Sequence, residues 1–168
     1  MKRHLFFIAF IWFLLFRLDV FAQNISISAG GKGGFYTLEY QQFFRKEKPF
    51  ELYAGLGLSG FAVDQRATIV VPISFGVQRK VEKWDFFSGI GFSPNWTYYY
   101  QAFSAGTSSS RYRWYSRLFL EFGARRYFSN PHFSIAVSYT PLLSVVENFQ
   151  WEHWGAFTFA YHFNTAKR

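Results

Sequence analysis

The sequence predicts an all-β fold, an eight-stranded antiparallel up-and-down barrel that crosses a membrane and follows a cleavable signal peptide. Three observations predict it. Aromatic residues make up 24% of the 168 residues although the mean hydropathy is only −0.03. Apolar residues are therefore interleaved with polar ones, an arrangement typical of strands, and the interleaving has a period close to two. The chain also begins with a short basic segment that an apolar segment follows.

The N-terminal segment has the three parts of a secretory leader. Lys2 and Arg3 precede an apolar run at residues 5–16, and Val20-Phe21-Ala22 followed by Gln23 supplies a cleavage site. Arg17 and Asp19 interrupt the run, which is too short to cross a bilayer as a helix. The alternative is a buried core helix. We interpret residues 1–22 as a signal peptide that is cleaved after Ala22, and residues 23–168 as a single barrel domain.

The first strand, residues 24–31, depends on the alternation of Ile25, Ile27 and Ala29 with small polar residues. The glycine-rich segment 30–34 is interpreted as a turn, because glycine accepts positive φ angles. If this segment is not a turn, the first two strands merge. The resulting odd number of strands would not suit a bacterial single-chain membrane barrel.

The later strands are bounded by charged or turn-forming segments. They are predicted at residues 34–44, 50–60, 67–78, 84–97, 112–127, 132–142 and 151–163. Charged breaks lie at 45–49 and 79–83, a small polar loop at 104–110, and a Ser-Asn-Pro turn at 129–131. The longest loops are expected near residues 98–111 and 143–150.

The two faces of these strands differ in chemistry. The apolar face carries Tyr36, Leu38, Leu52, Leu56, Ile69, Val71, Ile73, Phe75, Ile90, Phe92, Leu118, Leu120, Phe122, Ile135, Val137, Phe157 and Phe159. The other face carries Glu39, Gln41, Glu51, Gln78, Asp85, Arg113, Arg117, Glu121, Arg125, Glu152 and His162, together with many small residues. An eight-stranded barrel has an interior just wide enough for side chains. Small and charged residues therefore fit inside it, and the apolar face fits lipid.

This orientation competes with that of a soluble sandwich or lipocalin-like barrel. In such a fold the large apolar residues would share a narrow interior while a face of Gly, Ala and Ser met water, although soluble surfaces are richer in Lys and Glu. Strands of about 10 residues also have the length that a membrane crossing requires. Phe75, Leu120 and Phe159 facing a common centre would refute the membrane orientation.

Aromatic residues gather near the strand ends. Those beside the charged turns are Phe43, Phe44, Phe50, Trp84, Tyr127, Phe128, Tyr161 and Phe163. Those at the opposite ends are Trp96, Tyr98, Tyr100, Tyr112, Trp114, Trp151 and Trp154. Two such belts are expected where aromatic rings meet lipid headgroups. The alternative is a set of ordinary core aromatics.

The leader ending in Phe21-Ala22-Gln23, the segments LYAGLGLSG and FFSGIGFSPNW, and the aromatic last strand carry a family resemblance. Together they resemble the small eight-stranded outer-membrane β-barrel proteins of gram-negative bacteria, above all the short ones common in the Bacteroidota. The resemblance covers residues 23–163 and implies a location in the outer membrane. It also implies a periplasmic N-terminus, short periplasmic turns at 45–49, 79–83 and 128–131, and longer outer loops.

The resemblance has a further implication for biogenesis. In this family the barrel-assembly machinery recognises the last strand, which often ends the chain on an aromatic residue. Here residues 164–168 follow Phe163, which weakens that terminal signal.

Charged residues on the inward face predict a structural polar network in the barrel. Arg117 and Glu121 lie four residues apart on one strand and share a face. With Glu39, Arg113 and Arg125 they are expected to form an ion-pair ladder, because buried charges need partners. A path for ions or protons is the alternative. The function expected is a structural one, or the binding of an extracellular ligand by the outer loops, with outer-membrane lipid and the assembly machinery as partners.

A second resemblance opens an enzymatic alternative. Some outer-membrane lipid A deacylases are eight-stranded and carry a His-x-Ser-Asn segment and a later Glu, which His132, Ser134 and Glu147 resemble. Ile135 stands where Asn is expected, and the predicted orientation places His132 at the periplasmic end, far from outer-leaflet lipid A. The prediction is therefore a protein that is not an enzyme. A deacylase-like hydrolase and a soluble periplasmic lipocalin-like carrier remain as alternatives.

Composition excludes several other classes of site. The chain has no cysteine, which excludes a disulfide scaffold, a thiolate metal site and a thiol nucleophile. His132, His153 and His162 are dispersed without a carboxylate cluster, so no metal site is predicted. The segment GGKGG lacks the spacing of a phosphate-binding loop, and no cofactor is predicted. A net charge of +8 can indicate nucleic acid binding, but an exported chain with its charges at turns does not.

Overall fold

The computed structural model describes residues 22–32, 35–47, 49–63, 66–102, 108–144 and 150–163. Within these ranges the chain forms nine strand segments. They are β1 (Ala22–Gly30), β2 (Tyr36–Glu47), β3 (Phe50–Val63), β4 (Arg66–Val70), β5 (Ile73–Val81), β6 (Trp84–Ala102), β7 (Ser108–Tyr127), β8 (Phe133–Ser144) and β9 (Trp151–Phe163). Among the described residues no helix is long and apolar enough to cross a membrane.

The strands form a closed antiparallel barrel. Strands that follow each other in sequence pair with one another, except β4 and β5, and β1 pairs with β9 from Gln23–Phe163 to Gly30–Ala156. Both β4 and β5 lie between β3 and β6, so together they occupy one position in the wall. The ring therefore has eight strand positions, and the predicted fold class is confirmed. Among the described residues, every position in the ring is therefore paired with a neighbour on both sides.

The break between β4 and β5 was not predicted, because the sequence indicated one strand over 67–78. Pro72 has no N–H to donate to a ladder. The wall is nevertheless continuous, because the Gly57 N–H donates to the Pro72 carbonyl at 2.8 Å and the Val71 N–H donates to the Pro94 carbonyl at 3.1 Å. A Cβ atom on Gly57 would lie 2.7 Å from Pro72 Cγ. Glycine at position 57 therefore makes room for the proline ring.

The barrel has two distinct ends. The terminal end contains Ala22, Phe163 and the turns that follow β2, β5 and β7; the loop end is the opposite one. Strand β2 continues to Glu47 and β5 to Val81, so the predicted breaks at 45–49 and 79–83 are shorter than expected. The first strand is separate from the second, since β1 ends at Gly30. Residues 1–21 lie outside the described ranges, and the leader stays a prediction.

Strands β6 and β7 extend past their neighbours at the loop end. Their ladder runs without a break to the pair Ala102–Ser108, whereas β6 pairs with β4 only as far as Tyr99–Arg66 and β7 pairs with described residues of β8 only as far as Arg117–Ser144. We call residues 97–102 and 108–113 the projecting hairpin; its base, residues 97–99, is still paired with β4. Residues 98–102 and 108–111 are therefore strand rather than the predicted loop, and residues 103–107, which include most of the predicted small polar loop at 104–110, lie outside the described ranges. Of the predicted loop at 143–150, residues 145–149 also lie outside them.

The apolar face points away from the barrel axis. The side chains of Phe75, Leu120 and Phe159 are 60%, 38% and 45% exposed on its outer wall. Val71 and Ile135 are half-buried, and the rest of the predicted apolar set is exposed there. The orientation inferred from the alternation is therefore correct.

The interior contains large aromatic side chains at positions that the alternation assigns to the inward face. Phe43, Tyr53, Phe87 and Phe119 are all buried inside, and Phe43 had been assigned to an aromatic belt. Inward-facing glycines make room for these rings. A Cβ on Gly91 would lie 2.1 Å from Phe119 Cζ, and one on Gly123 would lie 2.3 Å from Phe87 Cζ. The interior therefore has the close packing of a protein core.

Candidate functional site

The turn between β1 and β2 folds into the barrel and places Lys32 near its axis. Gly30 and Gly31 have φ angles of +83° and +89°, a region that L side chains rarely adopt. A Cβ on Gly30 would also meet the carbonyl oxygen of Gly155 at 2.2 Å. The Ser93 hydroxyl donates to the Lys32 carbonyl at 3.1 Å from another part of the wall. Glycine at position 30 thus allows the inward fold.

Lys32 forms a buried ion triad with Glu39 and Glu121. Its Nζ lies 2.8 Å from Glu39 Oε1 and 2.9 Å from Glu121 Oε2. Glu39 is on β2 and Glu121 is on β7, and these two strands are four positions apart in the ring of eight, on opposite walls. The Lys32 ammonium therefore spans the interior. The three side chains are at most 8% exposed, which makes the charges dependent on one another.

Neutral donors complete the coordination of the two carboxylates. Ser74 Oγ donates to Glu39 Oε1 at 3.0 Å, and Gln41 Nε2 donates to the same atom at 3.3 Å. The Tyr53 hydroxyl donates to Glu121 Oε2 at 3.5 Å. Gly55 leaves the space for this arrangement, since a Cβ there would lie 2.2 Å from Glu39 Oε1. The triad is thus built by β2, β3, β5 and β7 as well as by the turn.

Arg125 makes a second connection across the interior, nearer the terminal end. Its Nη2 donates to Gln41 Oε1 at 3.1 Å and its Nη1 to Gln78 Oε1 at 3.4 Å. The guanidinium also lies over the ring of Phe87, 5.5 Å from the centroid. Gln41 is on β2 and Arg125 on β7, so this contact joins the same two opposite walls as the triad.

The residues predicted for the interior network divide into two groups. Glu39, Glu121 and Arg125 lie inside the barrel, as described above. Arg117 lies nearer the loop end, where its Nη2 is 3.0 Å from Glu152 Oε1. Arg113 is exposed on the projecting hairpin, and its assignment to the interior needs correction. The reason is strand length, because the described part of β8 pairs with β7 only as far as Arg117 and position 113 lies four residues farther toward the loop end.

Sequence reasoning missed Lys32. The only local signal was a lone cation between two pairs of glycines in the segment 30–34. That pattern indicates a turn, but it does not show on which side of the wall the turn lies.

The terminal end holds a buried serine–histidine contact. Ser134 Oγ lies 2.7 Å from Nε2 of His162, which is on β9. The sequence had paired Ser134 with His132, but Nδ1 of His132 instead lies 2.9 Å from the His162 carbonyl oxygen. Ser134 is fully buried. Glu147, the third residue of that hypothesis, lies outside the described residues. Within the described part of the chain, no cluster of His, Asp and Glu could hold a metal ion.

The projecting hairpin presents aromatic and basic side chains to solvent. Tyr112 is 83% exposed, and its ring lies 5.1 Å from that of Tyr98 on the other strand. Arg111 and Arg113 are exposed beside it. Tyr and Arg are residues that partner-binding surfaces favour. Below the hairpin, Trp96 and Trp114 face outward as a cross-strand pair, the position expected for the belt at the loop end.

No family model and no curated protein sequence matches the chain. Solved structures do match it. The N-terminal β-barrel domain of Pseudomonas aeruginosa OprF has a TM-score of 0.55 at 10% identity, with 85% of this chain and 98% of that chain covered. Ail of Yersinia pestis has a TM-score of 0.51 at 14% identity, covering 84% and 95%. Neisserial surface protein A has a TM-score of 0.50 at 9% identity, covering 85% and 94%.

The fold is that of the small eight-stranded outer-membrane barrels. Nearly the whole of each neighbour is covered, so the likeness concerns the complete barrel rather than a shared hairpin. At these identities the likeness extends to the fold alone. The predicted relation to proteins of the Bacteroidota stays a prediction.

Proposed function

We propose that this protein is an integral outer-membrane barrel with a filled interior, which presents the projecting hairpin at the cell surface in a structural or ligand-binding role. The observation that carries the proposal is the inside-out distribution of side chains. Phe75, Leu120 and Phe159 face outward around the wall while Lys32, Glu39 and Glu121 are buried within it. Moving a large apolar side chain from water to an apolar medium contributes about 1.5–3 kcal/mol. A lipid environment therefore stabilises such a wall.

The filled interior argues for a barrel that is not an open pore. Lys32 and Arg125 each join opposite walls, at two heights along the axis. The cavity beside the triad has a volume of only about 10 Å³, close to the space that a single water needs. Rings of Phe119 and Phe87 occupy further interior space. Solute passage would require the triad to separate.

The proposed orientation places the loop end outside the cell. The predicted leader would export the chain, and the short turns at the terminal end suit the periplasmic side of such barrels. The projecting hairpin then stands above the outer leaflet, with the Trp96–Trp114 pair at headgroup level.

Neither alternative function fits the geometry as well. A soluble lipocalin-like carrier would expose the whole apolar wall to water. A deacylase-like hydrolase would need an accessible serine, whereas Ser134 is fully buried and its hydroxyl is hydrogen-bonded to His162 inside the barrel. Nucleophilic attack requires contact between the nucleophile and the substrate.

The proposal is tested by topology mapping in intact cells. The chain has no cysteine, so single substitutions can be labelled without background. Tyr112→Cys in the hairpin should react with a membrane-impermeant maleimide in intact cells, whereas Ser129→Cys, exposed at the terminal end, should react only after the outer membrane is permeabilised. Detergent-extracted protein should also show heat-modifiable gel migration. Recovery of the mature chain in the soluble periplasm would refute the proposal.

A further inference from the structure

A basic cleft lies between two turns at the terminal end. It has a volume of about 560 Å³ and lies between the turn joining β5 to β6 and the turn joining β7 to β8. Three of its lining residues are cations, Lys80, Lys83 and Arg126, against one carboxylate, that of Glu82. The net positive charge favours an anionic ligand.

The cleft lies at the height where lipid headgroups are expected. The guanidinium of Arg126 lies 5.5 Å from the ring centroid of Trp84, and that of Arg79 lies 5.5 Å from the ring centroid of Phe50. Phe128, which also lines the cleft, is 48% exposed. Aromatic rings at the edge of an apolar wall mark the membrane–water interface, and cations near such rings reach the phosphates.

A separate apolar groove lies nearer the middle of the wall. It has a volume of about 600 Å³, and Phe75, Ser88 and Phe122 are among its lining residues. Gly76 and Gly89, which the register pairs, also line the groove, and the outward residue beside them is the small Ser88. Ser88 pairs with Val77 and with the exposed Phe122, so it faces outward.

The cleft and the groove lie along the same strands. Arg126 and Phe122 are four residues apart on the outward face of β7, which is about 13 Å along the strand. With a strand tilt of about 45° the depth is about 9 Å, within one leaflet of about 15 Å of hydrocarbon. A single molecule with a phosphate at Arg126 and a chain at Phe122 therefore fits both features.

We propose that the cleft and the groove together bind one anionic phospholipid of the periplasmic leaflet, a proposal that rests on the membrane orientation given under the proposed function. Its phosphate lies at Lys83 and Arg126, and one acyl chain lies over Ser88. A headgroup without an ammonium is preferred, because an ammonium would bring a further positive charge among the three cations.

The headgroup is tested by native mass spectrometry of the full barrel released from detergent micelles. The micelles contain phosphatidylglycerol or phosphatidylethanolamine with identical acyl chains. The wild type should retain one phosphatidylglycerol in preference to phosphatidylethanolamine. The double variant Lys83→Gln/Arg126→Gln should lose about tenfold in phosphatidylglycerol retention, since charge-assisted hydrogen bonds are among the strong ones. Arg111→Gln/Arg113→Gln removes the same charge at the other end and should leave retention unchanged.

The groove is tested by a substitution that fills it. Ser88→Phe should reduce retention of phosphatidylglycerol, whereas Ala29→Phe, an outward-facing position on β1, should not. The chain-free headgroup glycerophosphoglycerol is the second probe. Equal binding of this probe and of the lipid would overturn the phospholipid assignment in favour of a soluble anion.

The outcomes separate this inference from the proposed function. Heat-modifiable migration of each variant reports whether the barrel is closed. Closed barrels that retain both lipids equally would overturn the inference and leave the proposed function standing. A chain that is never heat-modifiable and never associates with membranes would overturn both.

Discussion

The barrel body and the projecting hairpin place rings from the same strand in opposite environments. On β7, Phe119 is 2% exposed and packs into the space above Gly91. Seven residues earlier on the strand, Tyr112 is 83% exposed and contacts only a neighbouring tyrosine among the ring pairs of the described residues. The body is therefore specified by complementary volumes and charges. In the hairpin, Tyr112 and its neighbour Arg111 are exposed and accessible for contact.

The largest effect is expected from Lys32→Met, which removes the charge of the triad at nearly constant volume. Two carboxylates are then left buried without their cation, and breaking a buried ion pair in this way costs about 3–5 kcal/mol of unfolding free energy. Urea unfolding of the refolded barrel in detergent micelles, followed by heat-modifiable migration, measures it. The triple variant Lys32→Met/Glu39→Gln/Glu121→Gln has no unpaired charge and should recover much of the loss.

Arg111→Gln serves as the control for this series. It removes an exposed charge from the projecting hairpin, and surface substitutions of this kind stay within about 0.5 kcal/mol. An equal loss for Lys32→Met and Arg111→Gln would mean that the triad does not stabilise the body.

The next largest difference in unfolding free energy is expected between two substitutions that each remove an aromatic ring from β7. Phe119→Ala should lower the unfolding free energy by about 3–4 kcal/mol, because it opens a cavity in the interior. Tyr112→Ala should cost at most about 1.5 kcal/mol, the contribution of one aromatic pair. Both values come from the same urea titrations. Equal costs would show that the hairpin is as tightly packed as the body.

The third largest loss of unfolding free energy is expected when a methyl group is added to the packed interior. Gly91→Ala places a Cβ against the Phe119 ring and 2.4 Å from the Ile73 carbonyl oxygen, so a loss of about 1–3 kcal/mol is expected. Gly155→Ala is the matched control, because a Cβ there meets nothing within 4 Å. Adding Phe119→Leu to Gly91→Ala should restore part of the stability. If the double variant recovers no stability, the strain comes from the contact with the backbone rather than from the contact with the ring.

The smallest effect is expected from Ser134→Ala at the terminal end. It removes one hydrogen bond to His162, which contributes about 1 kcal/mol. Lipid A acylation of cells that express the variant should match that of cells expressing the wild type, as judged by mass spectrometry of extracted lipid A. A difference in acylation would revive the hydrolase alternative.

The sequence predicts what alternation controls, and little else. The outward positions of Phe75, Leu120 and Phe159 follow from a period of two, as does the inward position of Glu39. The same period places Tyr53, Phe87 and Phe119 on the inward face, but the glycines that make room for their rings lie across the strand and can be identified only once the register is known. The register also determines that Arg117 contacts Glu152 rather than a residue on its own strand.

The direction of a turn, the length of a strand and the partner of a single hydrogen bond cannot be predicted from the local sequence. A glycine turn can fold inward or outward with the same local sequence, so Lys32 could not be assigned to the interior. The sequence of the tyrosine-rich segment before residue 103 is compatible either with a loop or with a strand that is longer than its neighbours. Pro72 was visible in the sequence, but the hydrogen bond that Gly57 donates to its carbonyl was not.

The central claim, that the apolar wall faces lipid, is tested most directly by nitroxide labels on single cysteines in reconstituted vesicles. Phe75→Cys and Leu120→Cys should collide more with dissolved oxygen, which concentrates in lipid, than with a water-soluble nickel chelate. Tyr112→Cys in the projecting hairpin should show the reverse. Free access of the nickel chelate to the labels at positions 75 and 120 would contradict the account.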